Sequence, residues 1–214
     1  MPRLLELFSG TGSVGRAFRA KGWEVVSVDI NGAENPTIQA DIRDLDVSSL
    51  GKIDAIWASP PCTNYSKART NAKVSSDSLM SDSDDLVRKT LAIAAELGNP
   101  PMWIENPWTG MLKTRELLDH LTMNVVDYCM YGDGVDFPYR KRTAVWTSTG
   151  WTPSRPLCKY DCLATVPGMK KHKAIAQRGP PGQTFTQREL YRIPPKLCDE
   201  IAEYCDNRIV LFPS

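Results

Sequence analysis

The stretch "RLLELFSGTGSVGRAF", residues 3–18, decides the fold. Its first part, RLLELF (3–8), reads as a buried strand. The run breaks at SGTG (9–12), and SVGRAFRAKG (13–22) then places Val14, Ala17 and Phe18 at helical spacing, with Gly22 as a C-cap. EVVSVD (24–29) is a second strand-like run and IDAIWA (53–58) a third. Strand, glycine-rich turn, helix, strand is a βαβ opening, and it predicts a parallel sheet. Gly10, Gly12 and Gly15 allow a ligand close to the backbone and to the helix N-terminus. Asp29 ends the second strand about twenty residues on, where a carboxylate meets ribose hydroxyls. Asp41 and Ile42 follow at a third turn, suited to an adenine amine and an adenine face. Together these positions favour a nucleoside-bearing cofactor; helix capping is the ordinary alternative for such acids.

The 214 residues, 24% charged and 42% hydrophobic, fit one α/β domain, or one domain with a small appendage. No apolar run approaches the roughly 20 residues of a membrane span. The N-terminus enters a strand pattern with no signal-peptide layout, so a cytoplasmic location and no membrane partner are expected. The net charge of +1 neither demands nor forbids nucleic acid. PYRKR (138–142) and KKHK (170–173) are compact basic clusters of a kind most often found on solvated loops. In a reducing compartment each of the six cysteines is a core thiol, a metal ligand or a nucleophile.

Further along, residues 63–83 are polar and aperiodic and predict a long loop of the kind that serves as a lid. DDLVRKTLAIAAELG (84–98) predicts an amphipathic helix through Leu86, Val87, Leu91, Ala94 and Leu97. PMWIENP (101–107) predicts a strand, RELLDHL (115–121) a helix, NVVDYCMY (124–131) a strand, and TAVWTS (143–148) a strand able to pair with it. Residues 1–150 read as the catalytic domain and 151–190 as a small irregular region; PPKLCDEIAEYC (194–205) returns to helix, so 191–214 reads as a terminal helix packing back.

Two groups stand apart from the fold. Cys62 follows Ser59-Pro60-Pro61 at a strand end, and Glu105 ends another strand. Parallel strands bring such ends to one edge of the sheet, where ligands bind. A thiol there can attack, and a carboxyl group beside it can donate a proton to a ring nitrogen. Packing is the commoner use of a lone cysteine. Cys158, Cys162 and His172 form C-x3-C-x9-H, and Cys129 can supply a fourth ligand; three sulfurs and an imidazole suit structural Zn²⁺. The alternative is scattered core cysteines.

These residues resemble the cytosine-C5 DNA methyltransferase family. LLELFSGTGSVGRAF resembles its first motif, with Asp29 where the family usually has Glu; ADI (40–42) resembles Gly-Asp-Ile. SPPCTNYS (59–66) resembles the Pro-Cys-Gln-x-Phe-Ser nucleophile motif, IENP (104–107) Glu-Asn-Val, and YGDGVDFPYRKR (131–142) Tyr-Gly-Val-Pro-Gln-x-Arg-x-Arg. The order and spacing match over residues 3–147, and TQREL (186–190) is faintly similar to a later segment.

The resemblance implies a Rossmann-like, AdoMet-dependent methyltransferase fold, with a mostly parallel central sheet flanked by helices and a small Cys/His-containing appendage. It implies S-adenosylmethionine as cofactor, DNA as partner, and methylation of cytosine at C5 after base flipping. Cys62 would add to C6, Glu105 would bond N3, and Arg140 or Arg142 would support the base and the thiolate, in a basic setting that lowers the thiol pKa. Phe8, Ser9, Gly10, Thr11, Gly12, Ser13, Asp29, Ile30, Asp41, Ile42 and Pro61 would frame the cofactor. Ser59, Pro60, Asn64, Tyr65, Ser66, Asn106 and Pro107 would meet the base. Tyr65, Trp103, Trp108, Tyr139, Trp146 and Trp151 are candidate base stackers, with core packing favoured for Trp103 and Trp146.

This chain departs from the family at Glu6, Ser13 and Pro107, and only about 45 residues precede the last helix where the family has a recognition domain. A C5 methylase of a free cytosine nucleotide or single strand is therefore an alternative, as is an inactive cytosine- or partner-binding module. An exocyclic amino-methylase is a weaker rival, because its motif wants an aromatic where Cys62 stands. A restriction system and a virus protecting its genome are both natural homes for such an enzyme.

Overall fold

The computed structural model describes residues 1–62, 65, 76–176 and 185–211. Strand β1 (Arg3–Leu7) leads through the glycine turn into helix α1 (Ser13–Ala20), β2 (Glu24–Asp29), a two-residue β3 (Ile38–Gln39) and β4 (Ala55–Ala58). Helix α2 (Ser76–Glu96), β5 (Met102–Pro107), β6 (Thr122–Asp127), a helical turn α3 (Tyr128–Tyr131) and β7 (Arg142–Thr147) follow. The chain ends with a short α4 (Gln187–Tyr191) and a long α5 (Pro195–Leu211).

Among the described residues the strands form one seven-stranded sheet in the order β3-β2-β1-β4-β5-β7-β6. β1 pairs in parallel with β2 and β4, and β4 with β5; β7 runs antiparallel between β5 and β6. A reversed strand inserted beside β5 leaves the C-terminal ends of β1, β4 and β5 and the start of β7 at a common edge. This is the Rossmann-like methyltransferase architecture expected.

Strand alternation sorts side chains into two layers. Leu4, Trp57, Trp103 and Val145 join α1 and α5, where Phe18, Leu197 and Ile201 pack. Leu5, Leu7, Ile56, Ile104 and Trp146 join α2 through Val87, Ile93 and Ala94. Burial on both faces explains why β1 and β4 read as near-continuous apolar runs rather than alternating ones.

Three expectations change. Helix α2 begins at Ser76, so the polar stretch 76–83 is helix, and of the expected lid only residues 63, 64 and 66–75 lie outside the described residues. Segment 115–121 holds only a 3₁₀ turn, Glu116–Leu118; Leu118 is buried and the chain turns into β6 at Thr122. The strand expected over 124–131 stops at Asp127, because Tyr128–Tyr131 turn into a helix.

Candidate active site

Phe8, just after β1, has φ 53, a left-handed backbone rare for a bulky residue, and Gly10 and Gly12 continue at φ 46 and 63. The turn closes on itself through Gly12 N donating to Ser9 O at 2.7 Å, and Ser9 N donates to Val28 O at 3.1 Å. Asp29 anchors it: its carboxylate accepts from Gly10 N and from Asn31 N, each at 2.8 Å. Thr11 Oγ1 and Ser13 Oγ lie 2.8 Å apart, and Ser13 Oγ accepts from Ile193 N, tying the C-terminal segment to the turn. Asp41 caps a 3₁₀ turn by accepting from Arg43 N and pairs with the Arg43 guanidinium. Ile42 is buried in the core, whereas Ile30 is exposed at the end of β2. Ser9, Gly10, Thr11, Gly12 and Glu34 line a cleft over this turn. Bare backbone, a carboxylate acceptor at the end of β2 and an exposed isoleucine beside it form a lining that fits the nucleoside end of S-adenosylmethionine.

The chain leaves β4 as Ser59-Pro60-Pro61-Cys62. Ser59 N donates to Leu7 O at 3.2 Å, and the Ser59 hydroxyl accepts from Trp57 Nε1 at 2.9 Å. Asn106, fully buried, donates from Nδ2 to Pro60 O at 3.0 Å. Tyr65 N donates to Cys62 O at 3.1 Å, which fixes the thiol's backbone from the other side. Burial pushes the Cys62 thiol pKa up, the Glu105 carboxyl group adds to this whenever it is ionised, and Lys141 pulls it partly back. The expected lowering of this thiol is thus reversed: among the described residues desolvation outweighs the facing Lys141 cation.

Glu105 is 7% exposed, and its Oε1 accepts from the Tyr128 hydroxyl at 2.9 Å. The expected arginines lie elsewhere. Arg142 grips both oxygens of the buried Asp127, at 2.9 and 2.7 Å, and Arg140 lies over the Tyr160 ring at 5.4 Å. Along an extended chain side chains alternate, so Arg140 and Arg142 share one face while Tyr139, Lys141 and Thr143 share the other. Lys141 is the cation on the Cys62 side; its Nζ donates to Leu190 O at 2.9 Å and sits 5.0 Å from the Tyr128 ring centre. Sequence reading missed Lys141 and Tyr128. The period-two count through 139–143 was the available signal for the first; nothing local marked the second.

Of the expected base contacts, Tyr65 is fully buried, with its hydroxyl donating to Asp84 Oδ1 at 2.8 Å. Asp84 is also held by Arg115, so this pair anchors the chain after Cys62 to α2 rather than offering a stacking ring. Tyr139 and Trp151 are buried, as are Trp103 and Trp146; Trp108 and Pro107 are half-buried, and Lys113 covers the Trp108 ring. Asn64 and Ser66 lie outside the described residues.

The four metal candidates converge. One ligand atom each from Cys129, Cys158, Cys162 and His172 all lie within 4.8 Å of one another. Cys158 Sγ is 3.4 Å from His172 Nε2 and accepts from Tyr160 N at 3.3 Å. Bonds of about 2.3 Å to sulfur and 2.0–2.1 Å to nitrogen are compatible with such a cluster, and the donor set suits tetrahedral Zn²⁺. Asp127 also accepts from Cys158 N at 3.0 Å, so the cluster is moored to the end of β6. All six cysteines are free.

A Rossmann-like sheet bearing a glycine turn at one strand end and a thiol and a carboxyl group at the next two is the arrangement expected of an AdoMet-dependent methyltransferase. Residues 3–91 match the model of the C-5 cytosine-specific DNA methylases. The chain is 34% identical over 222 residues to the probable DNA (cytosine-5)-methyltransferase of Frog virus 3 (isolate Goorha), covering 95% of this chain and all of that protein. Among solved structures, a putative DNA modification methyltransferase from an E. coli prophage aligns at 18% identity and TM-score 0.49, over 69% of this chain and 46% of that one. Spodoptera frugiperda DNMT2 aligns at 18% identity and TM-score 0.49, over 83% and 59%. The chain thus spans about half the length of these solved proteins. It belongs to the C-5 cytosine-specific DNA methylase family, whose members methylate cytosine in DNA with S-adenosylmethionine. Among the described residues no helix is long and apolar enough to cross a membrane.

Proposed function

We propose that this protein methylates cytosine at C5 in DNA through covalent addition of Cys62. The observation that carries this reading is the placement of Cys62 and Glu105 on adjacent parallel strand ends, each with its own buried hydrogen-bonded support. S-adenosylmethionine, when bound over Phe8–Ser13 with Asp29, Ile30, Asp41, Ile42 and Pro61 around it, supplies an electrophilic methyl group.

The chain's residues do the rest. The Cys62 thiolate forms a bond to C6, and the C5–C6 electron pair becomes available at C5. The Glu105 carboxyl proton moves towards N3 and neutralises the charge developing on the ring. After methylation a base takes the C5 proton, the S–C6 bond breaks with its electrons returning to sulfur, and the N3 proton returns to Glu105. Lys141 is the cation that favours the thiolate. Ser59, Pro60, Asn106 and Pro107 shape the floor beneath the base, with Asn106 acting through Pro60.

The test is incubation with labelled S-adenosylmethionine and, in turn, duplex DNA, single-stranded DNA, RNA and dCMP, with the methyl located by mass spectrometry. Transfer to C5 in duplex DNA, abolished by Cys62→Ala, is expected. Transfer confined to dCMP or to single strands would replace the substrate, and transfer surviving Cys62→Ala would overturn the nucleophile.

We further propose that Cys129, Cys158, Cys162 and His172 bind a structural Zn²⁺, supported by their convergence. A cytoplasmic setting, bacterial or in a virus-infected cell, agrees with six free cysteines and a viral relative.

A further inference from the structure

We infer that Tyr128 is a positioning residue for this reaction, its hydroxyl fixing Glu105 so that one carboxyl oxygen faces the base while the other is held; this rests on the covalent reading above. Tyr128 is fully buried and begins the helical turn after β6. Its backbone N donates to Lys141 O at 3.1 Å, and the Lys141 ammonium lies over its ring. Its ring also meets Phe137 edge-on, at 6.3 Å between centroids. These contacts leave the phenol little freedom, and its hydroxyl lies 2.9 Å from Glu105 Oε1.

In this bond the phenol hydroxyl donates and Glu105 Oε1 accepts. With Oε1 occupied, Oε2 is the oxygen left for N3. When the Oε2 proton moves to N3, the negative charge left on Glu105 is shared with Oε1, and the bond from Tyr128 becomes charge-assisted. Such a bond is roughly twice as strong as a neutral one. The gain arises as the ring gathers charge, so it lowers the barrier more than it tightens substrate binding. The Tyr128 proton never leaves its oxygen.

The test is Tyr128→Phe in the full chain with duplex DNA. We expect kcat to fall about 10- to 100-fold, with the KM for DNA within about twofold, the pH profile of kcat displaced, and adduct formation on 5-fluorocytosine DNA slowed in proportion. A kcat, pH profile and adduct rate matching the unsubstituted protein would overturn the inference. Should the phenylalanine variant not fold, 3-fluorotyrosine at position 128 retains shape and donor but changes donor strength; an unmoved pH profile there would overturn it equally. The two readings separate cleanly. If the unsubstituted protein turns over yet forms no adduct, the covalent reading fails; if it forms the adduct and Tyr128→Phe forms it as fast, only Tyr128 is misassigned.

Discussion

Asn106 Nδ2 donates to the carbonyl oxygen of Pro60 at 3.0 Å, and this buried bond couples the end of β5 to the turn that presents Cys62. Pro60 and Pro61 offer no backbone N–H, so the turn has few other ways to be held. Asn106→Ala leaves the carbonyl unpaired and is expected to cost about 1–3 kcal/mol of stability. It should also slow adduct formation while leaving S-adenosylmethionine binding intact. Denaturant unfolding and single-turnover methylation measure the two effects; an unchanged adduct rate would free Cys62 from this support.

Cys62 should be a slow nucleophile at neutral pH in the absence of substrate. Burial raises its pKa, so the thiolate fraction is small near pH 7 and grows about tenfold per pH unit below that pKa. Alkylation of Cys62 by iodoacetamide is expected to accelerate steadily up to about pH 9. Lys141→Met removes the cation that acts the other way among the described residues and should slow alkylation at every pH. A plateau near neutrality would contradict the desolvated thiol.

Glu6 gives a stability signature. Its carboxyl is buried beneath α1, accepts from Gly15 N at 3.1 Å through one oxygen, and has its pKa raised, chiefly by burial, from 4.5 to about 7. The folded state therefore holds a proton that the unfolded state releases above pH 4.5, so this group's contribution falls as pH rises from about 4.5 through 7. The total is on the order of 3 kcal/mol. Glu6→Gln keeps the acceptor and removes the titration. Its Tm should exceed that of the unsubstituted protein at pH 8.5, with the difference shrinking towards pH 5; a pH-independent difference would argue against a buried titrating acid.

Purified protein is expected to carry about one equivalent of zinc. Chelation, or Cys158→Ser, should lower Tm and loosen the segment from 157 to 176 in hydrogen exchange, with α1 and β1 spared. Bound metal below about a tenth of an equivalent would remove the zinc assignment.

Much of this was legible in the chain itself. The βαβ opening declared itself because strand, glycine turn and helix each follow their own period, and Cys62 and Glu105 could be placed by knowing which ends of parallel strands meet. The Cys/His spacing named Cys158, Cys162 and His172, and these converge with Cys129, which was only a candidate fourth ligand. What escaped was orientation. PYRKR offers three cations in a row, and only the pairing of β7 with β5 and β6 decides which way each one points. Tyr128 was hidden because the strand-favouring run NVVDY continues past the true strand end, where the chain turns to bring Cys129 to the other thiols. Segment 115–121 has helical spacing but is too short to hold a helix alone, and a 3₁₀ turn buries Leu118 instead.

The two-faced run from Tyr139 to Thr143 has a consequence for how this small chain tolerates its own chemistry. On the proposed mechanism it carries a thiol that must remain uncoordinated to react, and on the proposed zinc site three others suited to capturing a soft metal. Any exchange between them would poison the first and unravel the second. Lys141 faces the reactive thiol, while Arg142 faces the moored cluster through Asp127. The run thus sets a different cation towards each group of thiols. A single inserted or deleted residue before Arg142 would reverse its two sides at once, so indels here should be far less tolerated than substitutions.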